Sequence, residues 1–318
     1  MGFALLREEL ISRGYVYKAL TLGRLYKQYF TPAGKLVITK TAYYDYPFVS
    51  YTAREICLNK AKSYQLAQNL GVTIPHTVHT SDLQVANDFL ARYKRVVVKP
   101  HNLGGSKGLT LNVTEPGQLK AAIDEASVGD EVPLIQEQFI GEEIRFTVIA
   151  GKVHSAILRQ TPRVVGNGHS TVAELVDVEN KARETLQFPT LSYPQLTNAI
   201  IPEALLRSSR VPLEGEIIEF SNATMIRGGA SFYGILNEVH QSLVALVERM
   251  AANVNPPFLV IDIMVKQWKS ELQPEDYIFL EFNTAPALEI YTSIRAGETP
   301  DTIARLADLV DEYAHIAI

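Results

Sequence analysis

Val96-Val97-Val98-Lys99-Pro100, continued by His101-Asn102-Leu103-Gly104-Gly105-Ser106-Lys107-Gly108, is a β-branched run that ends in a lysine and opens into a glycine-rich turn. A lysine at the end of a buried strand can set its ammonium on a phosphate. A loop such as Gly104–Gly108 can close over a triphosphate with its backbone N–H groups. Gly108, not Ser or Thr, follows Lys107, so the stretch is not a P-loop, and it is not a dinucleotide fingerprint either. By itself it also fits a hairpin turn carrying a solvated lysine. Leu109–Val113, beyond the turn, is expected to pair with Arg95–Lys99 as a hairpin.

Upstream, Phe3–Arg13 has the spacing of an amphipathic helix stopped by Gly14, and Lys35–Lys40 reads as a strand after the Pro32–Gly34 turn. Ala53–Asn69 is expected to be one helix, closed by Gly71 with Pro75 beyond. Downstream, Leu119–Ala126 reads as a helix. Leu134–Ile140, Glu143–Ala150 and Lys152–Leu158 read as successive strands, with a tight turn at Ala150-Gly151. Residues 160–215 are rich in turn formers around a helix from Thr171 to Arg183. Ser242–Asn253 is a helix, Leu259–Val265 and Tyr277–Phe282 are buried strands, and Asp301–Ile318 is a closing helix. Interspersed strands and helices predict an α+β (α/β) enzyme.

Composition fits an ordinary folded protein. The 318 residues are 47% hydrophobic and 20% charged, with a net charge of −5. No Lys/Arg-rich tract points to nucleic acid. No apolar stretch is long enough to cross a bilayer, and Arg7, Glu8 and Glu9 stand where a signal peptide needs apolar residues. The single cysteine, Cys57, allows no intrachain disulfide and fits a reducing, cytoplasmic setting. His76 and His79 lack a second ligand pair at zinc-site spacing.

Three further groups of residues could carry chemistry. Gln136-Glu137-Gln138-Phe139-Ile140-Gly141-Glu142-Glu143-Ile144-Arg145 offers backbone groups, an aromatic and a carboxylate, although a charged edge strand has the same pattern. Asp262 in Ile261-Asp262-Ile263 and Glu281 in Leu280-Glu281-Phe282-Asn283 each interrupt an apolar strand. A buried carboxylate is costly without a partner, so these are either salt-bridged core acids or, with Asn283, an oxygen-only site suited to Mg²⁺. Arg159, Arg163, Arg227 and Arg295 lie near turns and suit phosphate or carboxylate recognition.

In this order and spacing, the pieces resemble the ATP-grasp superfamily over residues 53–300. Asn59-Lys60 opening a helix that leads to Gly71-Val72-Thr73-Ile74-Pro75, Lys99, Gly104–Gly108, Glu137, Gly141-x-Glu143, Asp262 and Glu281-x-Asn283 carry the resemblance. Leu158-Arg159 and Val164-Val165-Gly166-Asn167-Gly168-His169-Ser170-Thr171-Val172-Ala173-Glu174-Leu175, with Gly228-Gly229 ahead of the helix Ser242–Asn253, are similar to the ATP-grasp modules of cyanophycin synthetase and bifunctional glutathione synthetase.

The resemblance implies an ATP-grasp fold. A short N-terminal domain would span residues 1–55, a central lid 56–140 and a C-terminal core 141–318. It implies an ATP-dependent carboxylate–amine ligase working through an acyl phosphate, with ATP and Mg²⁺ (or Mn²⁺). A hydroxyl-directed kinase and a non-catalytic nucleotide-binding regulator are the alternatives. Lys60, Lys99 and the loop Gly104, Gly105, Ser106, Lys107 and Gly108 would hold phosphates. Glu137 and Phe139 would flank adenine, and Glu143 would hold the ribose. Asp262, Glu281 and Asn283 would hold the metal. Arg159 and Arg227 would serve catalysis, with Arg159 facing the phosphate or the acceptor. Partners would be a small carboxylate and an amine, with homo-oligomerisation left open.

Two departures from the resemblance touch the substrate. Thr224-Met225-Ile226-Arg227 stands where the relatives usually carry Asn-x-Ser-Thr. Glu289 and Tyr291 stand where the glutathione type carries histidines. Glu289 and Tyr291 are expected two apart on an extended segment facing the cavity mouth, with Glu289 drawing a cationic amine and Arg295 pairing with its carboxylate. A surface Glu289–Arg295 pair is the plainer alternative. Arg163 belongs with this substrate group.

Overall fold

The computed structural model describes residues 2–22, 24–40, 44–46, 48–101, 108–127, 132–185, 208–221, 224 and 228–314. Helix α1 (Gly2–Ser12) ends as expected before Gly14, whose φ of +87° is open to glycine. An antiparallel meander of β1 (Val16–Leu22), β2 (Arg24–Phe30), β3 (Leu36–Lys40) and β4 (Tyr44–Asp45) follows.

The helix expected over Ala53–Asn69 is two helices, α2 (Tyr51–Leu58) and α3 (Lys60–Asn69). Asn59 between them is extended, at φ −128° and ψ 109°, and its side chain accepts a 3.1 Å bond from the Lys62 amide. Asparagine is a strong N-cap, so it ends one helix and starts another with Lys60 at the first position. Both helices share an apolar cluster with Phe279 and Phe282 of the large sheet described below. They therefore pack on the C-terminal sheet, and not on the central unit where residues 56–69 were expected.

The central sheet has the order β5 (Thr77–His79), β8 (Leu134–Glu137), β6 (Val96–Lys99), β7 (Thr110–Val113), all antiparallel. The expected hairpin is the β6–β7 pair. Helices α4 (Leu83–Tyr93) and α5 (Pro116–Ala126) cover one face through Ala86, Leu90, Leu119 and Ile123, packed on Val96, Val98 and Ile135. The alternation of a strand then turns Val97 and Lys99 to the opposite face.

The large sheet has the order β15 (Tyr277–Asn283), β14 (Phe258–Val265), β9 (Glu142–Ile149), β10 (Lys152–Gln160), β13 (Ser231–Gly234), β16 (Ala296–Gly297). Ala150 and Gly151, at φ +49° and +76°, form the turn that joins β9 to β10. The period of two decides both faces. Ile144, Phe146, Leu158 and Ile261 meet Leu243, Val247 and Met250 of α7 (Gln241–Val254). Ile157, Phe258 and Val260 meet Leu6 and Leu10 of α1 and Leu306 and Val310 of α8 (Thr302–Tyr313). A small ladder, β11 (Arg163–Val165) with β12 (Ile217–Glu219), and helix α6 (Val172–Thr185) rise from the end of β10. No described helix is long and apolar enough to cross a membrane.

Candidate functional site

Between the central sheet and the large sheet lies a cavity of about 1440 Å³. A single ligand commonly needs about 300–1,000 Å³, so there is room for more than one. Lys60, Lys99, Glu137, Phe139, Glu143, Arg159, Arg163, Asp262, Glu281 and Asn283, far apart in the chain, all line it.

At one end the chain crosses from β8 to β9 through Gln138–Gly141. A Cβ on Gly141 would stand 2.7 Å from both the Phe139 ring and the Val265 carbonyl oxygen, so only glycine fits there. Phe139 is half-buried, with the Lys266 ammonium 5.6 Å from its ring centre. Met264, Ile278 and Leu280 supply an apolar floor alongside. This is a slot for a flat, aromatic ligand with a polar rim.

At the other end, Asp262 and Glu281 are direct partners across the β14–β15 ladder, and Asn283 is two residues on from Glu281. Lys60 reaches Glu281 at 3.7 Å because the Asn59 cap places it at the mouth of α3. Asp262 is 2% exposed. Arg145 grips both its carboxylate oxygens, at 2.8 and 2.6 Å, and Arg159 approaches at 3.4 Å. Burial works to raise the Asp262 pKa, but Arg145, then Arg159 and a hydrogen bond with Glu281, outweigh it and hold the carboxyl below its ordinary value.

Glu143, expected at a ribose, lines the cavity and is bound to Arg159 at 2.5 Å. Burial dominates there: the Glu143 pKa is raised, with Arg159 lowering it and the neighbouring Asp262 raising it further. Arg159 also donates to the Thr224 carbonyl at 2.6 and 3.0 Å. Two guanidiniums and two carboxylates thus form one fixed cluster where the apolar alternation of β9 and β14 gives way to charge.

An oxygen-only set of two carboxylates and an amide fits Mg²⁺ or Mn²⁺. A carboxylate has about four lone-pair positions, so the bidentate grip of Arg145 leaves Asp262 capacity for a cation. Among the described residues no group of three or more His, Cys, Asp or Glu side chains forms a cage.

The substrate group divides. Arg163 lines the cavity, bonds Glu219 at 3.0 Å and Thr161 at 3.0 Å, and lies 3.6 Å from the Glu142 carboxylate. Glu289 and Tyr291 do not lie on an extended segment. They belong to a 3₁₀ turn, Leu288–Thr292, in which Leu288, Ile290 and Tyr291 are all buried. Tyr291 is fully buried, its hydroxyl 2.9 Å from that of Thr147, and burial pushes its pKa up to about 12. Glu289 does not line the cavity. Arg295 pairs with neither Glu289 nor the cavity; both its terminal nitrogens bond Glu179 of α6. Gly104, Gly105, Ser106, Lys107 and Arg227 lie outside the described residues. Gly108, at φ +65°, closes against Pro100.

Arg145 and Lys266 were given no role from sequence. Arg145 carried a partial signal, a cation interrupting the apolar run Ile144–Ile149; its partner Asp262, 117 residues on, had no visible link to it before the pairing of β9 with β14. Lys266 had none.

The fold is two-lobed, with a cavity lined by lysines, arginines and carboxylates between two sheets. No family model matches the chain. Among solved structures it is similar to a bifunctional glutathione synthetase from Pasteurella multocida, with TM-score 0.64, 18% identity, and 98% of this chain and 43% of that one covered. It is also similar to D-alanine–D-alanine ligase from Bacillus anthracis, with TM-score 0.54, 15% identity, and coverage of 84% and 70%. The fold is the ATP-grasp fold.

Among curated proteins, cyanophycin synthetase of a Nostoc species is 23% identical over 269 residues, which is 80% of this chain and 29% of that protein. The glutathione biosynthesis bifunctional protein of Clostridium perfringens is 24% identical over 275 residues, 82% of this chain and 35% of that protein. The chain therefore spans about a third of the length of the curated relatives it matches.

Proposed function

We propose that the chain is an ATP-dependent carboxylate–amine ligase. The observation that carries this reading is the convergence of Lys60, Lys99, Arg159 and the Asp262/Glu281/Asn283 set on one cavity whose far end is an apolar, aromatic slot. In this assignment adenine lies beside Phe139 and the triphosphate runs toward Lys99 and Lys60. Mg²⁺ or Mn²⁺, held by Asp262, Glu281 and Asn283, would neutralise phosphate charge.

The chemistry needs alignment, not a protein nucleophile. A substrate carboxylate oxygen bonds to the γ-phosphorus as the bond to the β-bridging oxygen breaks, giving an acyl phosphate and ADP. The amine then bonds to the acyl carbon, phosphate departs, and the amine loses a proton. Arg159, fixed by Glu143 and the Thr224 carbonyl, faces the anionic transition states. Cys57 also lines the cavity, but burial and then Glu281 push its thiol up to about 12, so a thiolate route is unfavourable.

The test is phosphate release in a panel of carboxylates paired with amines. ADP and phosphate are expected only when both classes are present. ADP formed with a hydroxyl compound and no amine would assign a kinase instead, and absence of turnover with ATP bound would assign a regulator.

A further inference from the structure

Tyr64 is 4% exposed on α3, and α3 packs on the large sheet. Its ring sits edge-on to Phe279, with centroids 6.1 Å apart. Its hydroxyl leaves this core and meets the central sheet. Lys99 Nζ donates to the Tyr64 oxygen at 3.1 Å, and that ammonium lies 5.7 Å from the ring centre. The Tyr64 hydroxyl in turn donates to Gln136 Oε1 at 3.4 Å. Gln136, 2% exposed, donates through Nε2 to Thr77 Oγ1 at 2.8 Å, and Thr77 donates to the Pro75 carbonyl at 2.7 Å.

All four bonds point one way, from the ammonium to a backbone carbonyl. Lysine has a long, flexible stem, and a freely rotating ammonium loses rotamer entropy when a ligand fixes it. A hydrogen bond in which the donor is charged is among the stronger ones. The Tyr64 oxygen takes one of three ammonium protons and leaves two for a ligand. The acceptor is neutral, so the positive charge of Lys99 stays available to the cavity.

We infer that Tyr64 is a positioning residue: anchored in the core of the large sheet, it holds Lys99 of the central sheet in the conformation that meets ATP. This rests on the nucleotide reading of the cavity. It adds that the lysine's readiness comes from a residue of the other lobe, so that the two lobes are tied together at this ammonium.

The experiment is a double-variant cycle on the affinity for Mg·ATP, measured by calorimetry without other substrates. Tyr64→Phe keeps the ring contacts with Phe279 and Lys99 and removes only the hydroxyl. It is expected to weaken ATP binding about tenfold, the lower end for a charged hydrogen bond. Lys99→Met weakens binding by itself, and adding Tyr64→Phe to it should change nothing further. Unchanged affinity in Tyr64→Phe would overturn the inference. So would an equal loss with and without Lys99, because the hydroxyl would then act on the fold and not through the lysine. If the unaltered chain failed to bind ATP, the nucleotide reading itself would fall. Binding by the unaltered chain with no Tyr64 effect would sink the positioning role alone.

Discussion

Glu281→Gln is expected to lower ligase turnover by on the order of a hundredfold or more while leaving the fold in place. Glu281 is half-exposed at the cavity wall, so loss of its charge leaves no buried ion behind. Its carboxylate lines the cavity and has Lys60 at 3.7 Å. An amide keeps the shape but is a much weaker ligand for a hard cation. The check is phosphate release at saturating ATP beside a thermal melt. A normal melt with near-normal turnover would remove Glu281 from the metal set. Asp262→Asn would be a poorer experiment, since it would also strip Arg145 of its partner.

Arg145→Met is expected to cost about 3–5 kcal/mol of folding stability, the usual penalty for leaving a buried charge without its partner. Set against a total of about 5–15 kcal/mol for a folded domain, that is a large share. Asp262 is 2% exposed and has no comparable second cation, because Arg159 stands at 3.4 Å and already serves Glu143. Arg145→Met with Asp262→Leu should be markedly more stable than Arg145→Met alone.

The sign of the pH dependence follows. In the unaltered protein the Asp262 pKa is depressed, so its contribution is present above the ordinary carboxylate range and fades as pH falls. Without Arg145, burial raises that pKa and protonation relieves the penalty, so the deficit should narrow at low pH. Denaturant titrations at two pH values test this. A deficit under about 1 kcal/mol, the worth of an ordinary surface pair, would mean that Asp262 is not buried as an ion.

What sequence could show was set by range. Asp262 and Glu281 were legible because an acid inside an apolar alternation is conspicuous without any fold. Lys99 was legible as the end of a β-branched run. The break at Asn59 was not legible from apolar spacing, which continues through it; the resemblance, in which Asn59-Lys60 opens a helix, implied it, and the capping chemistry of asparagine marks the change. Helix α4 and strands β1 and β2 carried patterns left unread, the strands because Lys18, Lys27 and Gln28 dilute the alternation.

Glu289 and Tyr291 failed for a local reason, a three-residue period taken for a two-residue one. Arg295 failed for a distant one, because its partner Glu179 lies 116 residues away. The grip of Arg145 on Asp262 spans 117 residues, and nothing short of the β9–β14 register reveals it.

The packing of α1 against α8 also bears on how the chain acquires its structure during synthesis. Arg13 bonds Asp311 across 298 residues, at 2.6 Å, and Tyr15 reaches the same carboxylate at 2.7 Å. Leu6 and Leu10 share their cluster with Leu306 and Val310. At roughly 5–20 residues per second, the first helix waits on the order of tens of seconds on the ribosome before its partner emerges. The central sheet, built wholly from residues 77–137, can close long before that. The packing of α1 on α8 therefore forms late in synthesis, after every strand of the central sheet has emerged.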